Sequence, residues 1–442
     1  MASSLAVVRS HPRLIEAIKT VGIGKKGSKE LPAELIDALI PVLKSPDVSR
    51  PGLGAFLGAI ILKGISQEEQ RLQQAFEPGI FSDHPKLVSW IASDASPEIQ
   101  KICVRLLKGE TLDRPTAEFA GDFLMSSAPG DAARGMIAGI LRVRYETDEE
   151  YAGILKSISK TFEAPFRLNV PSGAPMIQIA EPFDGVDHSN MITPLVADFL
   201  QKQNYRVISL CGRNSGPKFG NNLYDIAQRL NAKFLKSSMD LKDECHCEEP
   251  QATKQSIKDC FASLAMTQVS VPFGYFLDQK DLSPAMDRWV DIRHQTVKRP
   301  FMATLERFVN PFKADICIAS AFHPPYGEKM LTAAEGAGFP KTIIIRNGIE
   351  GTMAFVLKRP TKILCSRKNS DGSFERQTFE CNPEEYLEKV PDVEEVLEQT
   401  SPQNNAALIT AYATSGRTTN SLFDQRVKLT CAGLIQALEF VN

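Results

Sequence analysis

The sequence predicts an α/β protein that carries an all-α helical domain and a mostly parallel sheet flanked by helices. Two observations predict it. Apolar residues recur at helical spacing through the first third of the chain, as in Leu35, Ala38, Leu39 and Val42. After Pro171-Ser172-Gly173, short β-rich runs alternate with helical stretches. The composition agrees: 442 residues with 43 % hydrophobic and 24 % charged side chains can bury a core and divide into two or three compact units. A net charge of −2 excludes a global basic field, so a nucleic-acid site would have to be a local patch.

The longest unbroken apolar run, Leu53 to Leu62, falls far short of the ~20 residues that span a bilayer, and no membrane partner is expected. No charged segment followed by an apolar one opens the chain. Nine cysteines, an odd number scattered over the length, fit a reducing compartment rather than a disulfide framework. The expectation is a cytoplasmic protein.

The first third contains an internal repeat. Gly54-Ala55-Phe56-Leu57-Gly58 and Gly135-Met136-Ile137-Ala138-Gly139 both carry Gly-x-x-x-Gly, 81 residues apart. The same spacing pairs Leu31 with Leu112, Val42-Leu43 with Phe123-Leu124, Lys63 with Arg144, and Ser66-Gln67-Glu68-Glu69 with Thr147-Asp148-Glu149-Glu150. The last pair is a helix-start pattern, a hydroxyl cap followed three residues later by Glu. Glycines four apart on one helix face let a neighbouring helix come close. The expected organisation is therefore an extra helical module over 1–96, a helical bundle over 97–170 and an α/β portion over 171–442, some of whose helices pack with the helical domain.

Strands are expected at Met176 to Ala180, Tyr205 to Cys211, Ala314 to Ser320, Lys341 to Arg346 and Thr361 to Cys365. Helices are expected at Pro194 to Gln203 and Asn222 to Leu230, with Thr193-Pro194 as a hydroxyl cap and a first-turn proline. Asp371 to Glu398, with ten acidic and two basic residues, is expected to be a solvated loop and helix face.

Ligands of α/β sheets sit at the carboxyl ends of strands, where amides and helix N-termini hold phosphate. The loop after the first strand, Glu181-Pro182-Phe183-Asp184-Gly185-Val186-Asp187-His188-Ser189-Asn190, runs into Met191-Ile192-Thr193. It resembles the diphosphate loop of the anthranilate phosphoribosyltransferases (the glycosyl transferase family 3 fold), with Asp184-Gly185, Asn190 and Thr193 in register. The next loop, from Cys211-Gly212-Arg213 to Lys218-Phe219-Gly220, resembles that family's Lys-His-Gly-Asn-Arg and Lys-Ser-Gly segments. Pro284-Ala285-Met286, Arg293 and Asn310-Pro311 match its Pro-Ala-Met, Arg and Asn-Pro at the same separations. Gly348-Ile349-Glu350-Gly351, Lys358-Arg359-Pro360-Thr361 and Asn404-Asn405-Ala406-Ala407 follow in the family's order, so the resemblance covers residues 98 to 442.

The resemblance implies a nucleoside phosphorylase/phosphoribosyltransferase-type fold. It further implies a phosphorylated sugar or nucleotide bound in a cleft between the helical and α/β parts, and a homodimer through the helical domain. Its site would use Asp184, Gly185, Asn190 and Thr193 on one side, Gly212, Arg213, Lys218 and Gly220 on the second, and Arg293 on the helical wall. Departures bear on the chemistry. Glu181, Pro182 and Phe183 replace glycines whose amides would approach phosphate. Ile192 replaces a hydroxyl, and Met353-Ala354 stands where the family's paired Asp-Glu would hold Mg²⁺. Cys211 stands for a His, and Arg213-Asn214 inverts the family's order. No metal ligand and no catalytic residue is therefore assigned; Mg²⁺ is expected only if transferase activity is retained, with Glu350 and Asp184 as the remaining carboxylates.

A second branch of the family, bacterial paralogues without the Gly-rich loop that bind nucleic acid, resembles Asp184-Gly185-Val186, Ile192-Thr193-Pro194-Leu195 and His323-Pro324-Pro325-Tyr326. The matching patches are Arg288, Lys298, Arg299 and Arg307 in the first, and Lys358 to Lys368, with five basic residues and no acid, in the second. Solvated helix faces explain both patches equally well. Cys245-His246-Cys247 lacks a second pair at a metal-site spacing and is expected to be a loop thiol pair. His188 has no visible partner, and Trp90 and Trp289 are expected to pack.

Overall fold

The computed structural model describes residues 10–24, 27–213, 220–241, 271–297, 301–346 and 349–442. Among the described residues eight helices come first: α1 (Pro12–Val21), α2 (Ala33–Lys44), α3 (Arg50–Lys63), α4 (His84–Ile91), α5 (Pro97–Leu107), α6 (Arg114–Met125), α7 (Asp131–Arg144) and α8 (Asp148–Ser159). Most start where the local sequence dictates. Ser49, Asp83, Ser96, Asp113 and Thr147 each accept a backbone N–H from the first turn, and Pro follows within the first two positions in four of these.

The 81-residue spacing reappears in three dimensions. The bounds of α2 and α6, and of α3 and α7, are offset by that number at both ends. Two buried glutamates occupy equivalent places. Glu69 accepts from the Leu31 amide (3.0 Å) and the Ser66 amide (2.9 Å) and pairs with Lys63 (2.7 Å). Glu150 accepts from the Leu112 amide (3.0 Å) and the Thr147 amide (2.8 Å) and pairs with Arg144. Burial pushes the Glu69 carboxyl up, but Lys63 and the two amides outweigh it and hold the group below its ordinary value. The start at Ser66 leads into a 3₁₀ run, Glu69–Ala75, and not an α-helix, whereas Thr147 opens α8 with a complete capping box.

The remaining elements are β1 (Met176–Ala180), α9 (Thr193–Lys202), β2 (Arg206–Cys211), α10 (Leu223–Arg229), β3 (Lys233–Phe234) and β4 (Tyr275–Asp278). Short helices α11 (Gln279–Leu282), α12 (Pro284–Asp287), α13 (Trp289–Thr296) and α14 (Met302–Leu305) return the chain to the helical part. Then come β5 (Ile316–Ala321), α15 (Tyr326–Gly336), β6 (Lys341–Arg346), β7 (Thr361–Lys368), β8 (Phe374–Cys381), α16 (Pro402–Ser415) and α17 (Ser421–Val441). The strands make one sheet in the order β3-β4-β2-β1-β5-β6-β7-β8, parallel except for β7 and β8. Strand order reverses between β1 and β5, which opens a crevice at their carboxyl ends.

Both faces of the sheet are buried at its central strands, and alternation assigns them. Met176, Ala180, Ile208, Cys317 and Ala319 join the core of the helical part, whereas Ile177, Ile179, Val207, Ile316 and Ile318 face α9, α10, α16 and α17. The helical part is thus packed directly on one face of the sheet. None of the described helices is long and apolar enough to cross a membrane.

Helices α3 and α7 cross in close contact because their glycines leave no Cβ in the way. A Cβ on Gly135 would overlap the Pro51 carbonyl, which is backbone and cannot turn aside. Gly135→Ala is therefore expected to lower stability by about 1–3 kcal/mol in chemical denaturation. Gly336→Ala, which meets nothing within 4 Å, should leave it nearly unchanged.

Candidate ligand cleft

A cavity of about 410 Å³ opens at the carboxyl ends of β1 and β5, where strand order reverses. Pro182, Phe183 and Asp184 enter it after β1, and Ser320, Ala321, Phe322 and His323 at the end of β5. Glu350 and Gly351 come from the segment after β6. The helical side supplies Arg142 on α7, Glu146 just beyond it, Phe301, Ala303, Thr304, Glu306 and Arg307 around α14, and Tyr326 and Met330 on α15.

The floor beside this cavity is organised by Glu181. Its side chain is buried, accepts a hydrogen bond from the Thr193 hydroxyl, and accepts another from the Met353 amide at 2.7 Å. Thr193 is the first residue of α9, and its hydroxyl serves Glu181 and not the helix cap. A helix N-terminus and an inward amide favour an anion, and here the chain's own carboxyl group takes that seat. Burial pushes the Glu181 carboxyl up; Thr193, the Met353 amide and Arg307 oppose this without cancelling it.

A second carboxylate does the same one loop away. Glu350, at φ 52° in the left-handed region, accepts from the amides of Asp187 (3.2 Å) and His188 (2.8 Å) and from the Ser189 hydroxyl (2.6 Å). The loops after β1 and β6 are thereby stitched together. The acidic stretch closes over the same region: Glu395 is buried against Arg426 (2.7 Å) and accepts from Asn190 (3.1 Å). Glu394 takes the amides of Leu357 (2.6 Å) and Lys358 (2.8 Å). The expectation of a wholly solvated loop and helix face is thus corrected. Part of the stretch is the edge strand β8, and its end supplies carboxylates to buried donors.

The structure distributes the expected site residues unevenly. Asp184 and Arg307 line the cavity, both buried, and Arg307 donates to the Ser320 carbonyl at 2.8 Å. Gly185 adopts φ 75° in the same loop. Asn190 and Thr193 lie behind it, bonded to Glu395 and Glu181. Gly212, Arg213 and Gly220 do not line the cavity; Arg213 pairs with Asp278 (2.5 Å) and lies over the Tyr224 ring. Arg293 is buried in an ion pair with Glu306 and also lies off the cavity. Arg288 is exposed and donates to the Met125 carbonyl (2.8 Å). Lys218, Lys298, Arg299 and Cys245-His246-Cys247 lie outside the described residues. The ring of His188 lies 3.0 Å from the Leu397 carbonyl. Trp289 packs in the core and donates to the Leu124 carbonyl (3.1 Å), whereas Trp90 is partly exposed, edge-on to Phe76.

The sequence did not point to the cavity residues Arg142 and Glu146, and it placed His323 and Tyr326 only within the His-Pro-Pro-Tyr match. Arg142 sits 5.4 Å from the Tyr326 ring centre, and Lys329 of α15 approaches the buried Glu146 carboxylate at 3.7 Å. Tyr145, between them, holds φ 70° and ψ 139°, where the equivalent position of the first repeat is Gly64 with φ 91° and ψ 129°. A tyrosine at a glycine position was the sequence signal for this wall.

Solved structures share this architecture. Anthranilate phosphoribosyltransferase from Thermus thermophilus is 20% identical over 78% of this chain and 90% of that chain, with a TM-score of 0.53. The enzyme from Saccharomyces cerevisiae in complex with PRPP and Mg is 13% identical over 79% of this chain and 90% of that chain, with a TM-score of 0.56. The fold is that of the anthranilate phosphoribosyltransferases. By sequence, the chain is similar to an uncharacterized protein of Aquifex aeolicus (strain VF5), 22% identical over 224 residues. That match spans half of this chain and 58% of the relative's length. No protein-family model matches the chain.

The phosphoribosyltransferase fold raises the question of Mg²⁺, and the residues at the place of the paired acids do not fit it, whereas Asp184 and Glu350, the remaining carboxylates, both line the cavity. Met353 and Ala354, at the place of the paired acids, are apolar and fully buried. Among the described residues no group of three or more His, Cys, Asp or Glu is gathered closely enough to hold a metal ion.

Because the folded Glu181 keeps its proton to higher pH than the unfolded chain, the stability linked to that proton is complete below the ordinary carboxyl value of 4.5 and is lost as pH rises through the folded value. Glu181→Gln keeps an acceptor for Met353 and removes the titration. Its thermal melts should therefore fall less steeply than wild type above pH 4.5; identical pH slopes would show that Glu181 does not titrate as burial requires.

Proposed function

We propose that this protein binds a phosphorylated sugar or nucleotide in the interdomain cleft of a phosphoribosyltransferase fold, without Mg²⁺–diphosphate chemistry. The observation that carries the proposal is the seating of Glu181 at the start of α9, where a ligand's diphosphate would otherwise gain its donors. With that seat filled, the polar groups left to a ligand are those of the cavity itself. Arg142, Arg307 and His323 offer positive charge or donors to one phosphate. Asp184 and Glu146 offer acceptors to sugar hydroxyls, and Phe183, Phe301, Phe322 and Tyr326 provide apolar walls for the remainder.

This division of labour suits a ligand with one compact anion and several hydroxyls better than one with a metal-bridged diphosphate. If a glycosyl group is transferred here, catalysis rests on positioning and on cationic side chains offsetting the leaving group's charge. A nucleic-acid role draws less support. Lys362 pairs with Glu380 (2.9 Å) and Arg367 with Glu375 (2.8 Å) across the β7–β8 ladder, so two of that run's five basic residues are neutralised.

Calorimetry tests the proposal with ribose 5-phosphate, AMP and phosphoribosyl diphosphate, each with and without Mg²⁺. Binding of ribose 5-phosphate or AMP that is independent of Mg²⁺ is expected, with Arg142→Ala weakening it roughly tenfold or more, the loss of one charge-assisted contact. Binding confined to phosphoribosyl diphosphate with Mg²⁺ would overturn the proposal. So would no binding of these compounds alongside salt-sensitive binding of DNA.

A further inference from the structure

We infer that the first helical module, residues 10–91, acts as a second subunit supplied within the same chain, closing the glycine face of α7 so that the protein works as a monomer. The contact between α3 and α7 has the reciprocity of a two-fold interface. A Cβ on Gly54 would overlap the carbonyl of Ala132, and one on Gly135 would overlap the carbonyl of Pro51; Pro51 and Ala132 are themselves equivalents in the 81-residue repeat. One turn further on, a Cβ on Gly58 would lie 3.0 Å from the Met136 carbonyl oxygen, and one on Gly139 would lie 2.7 Å from that of Ala55. Ala55 and Met136 are again equivalents. Residue i meeting j′ while i′ meets j defines an isologous contact, the kind that normally joins two identical subunits. Here both partners belong to one polypeptide, and their helices have the same bounds in the repeat.

The module also reaches the wall of the cleft, as a partner subunit would. Gly24 lies against Tyr145, where an added Cβ would be 3.2 Å from the phenolic oxygen. A small gap is shared by Ile18 and Gly22 of the first module and by Gly139 and Arg142 of the second. Ser10 and Ser49 both donate to Gln295 in α13, at 2.6 Å to its carbonyl and 2.9 Å to its side-chain oxygen. A second chain cannot approach the α7 glycines without displacing α3, because the backbones already touch there. A homodimer through the helical domain, the arrangement the family resemblance implies, is in this view replaced by an internal one.

Sedimentation velocity on the full chain, from about 1 to 100 µM, tests this. A single species of 48.7 kDa throughout is the expected result. A species of twice that mass, persisting on dilution, would overturn the inference; exchange of α3 between chains would give that result too. Hydrogen exchange over residues 131–144 supplies a second readout. Protection should be the same at both ends of the concentration range; protection that falls on dilution would mean that another chain, and not α3, covers the face.

Discussion

A buried carboxyl group holds the floor of the cleft together. Glu181 directly follows β1, takes the hydroxyl of Thr193 at the start of α9, and takes the amide of Met353 from the segment after β6. Three chain segments that converge on the site therefore share one acceptor. Burying a carboxyl group is costly unless its oxygens are satisfied, so the site tolerates Glu181 only because those donors are already aimed at it. The donors that suit an external anion serve an internal carboxyl group. Glu350 repeats the arrangement with the amides of Asp187 and His188, and Glu394 does so with those of Leu357 and Lys358.

This substitution accounts for the departures along the chain as a set. Glycines in the first loop matter when a phosphate must approach backbone amides. Once the Glu181 carboxyl group occupies those donors, Pro182 and Phe183 are free to turn into the cavity as apolar wall. Apolar Met353 and Ala354 likewise belong to the core on the α17 side of the sheet, where paired acids without a metal would be unstable. What remains polar in the cavity is drawn from both parts of the molecule, with Arg142 and Glu146 on one side and Asp184, Ser320 and His323 on the other.

Much of the architecture was legible in the sequence because it depends on local signals. Strand β1 and strand β6 begin and end where the apolar runs do, and α10 falls one residue inside its expected span at each end. The repeat was legible for the same reason, since Glu69 and Glu150 sit three residues after their hydroxyl caps. The site was less so. Arg293 and Arg213, expected at the ligand, are held by Glu306 and Asp278, which lie 13 and 65 residues away. Arg142 drew no notice within a helix, because a charged residue there is ordinarily a solvated one.

By itself, then, the sequence determined the helical repeat, the strands β1, β2, β5, β6 and β7, the capping box at Thr147, and the glycine spacing that lets two helices touch. These follow from periodicity and from contacts within one turn or one pleat. Only the tertiary structure decided what Glu181 does, because its partners stand 12 and 172 residues along the chain. A carboxylate in a phosphate loop reads as repulsion in one dimension. Folded against a helix start and an inward amide, it occupies the anion's place.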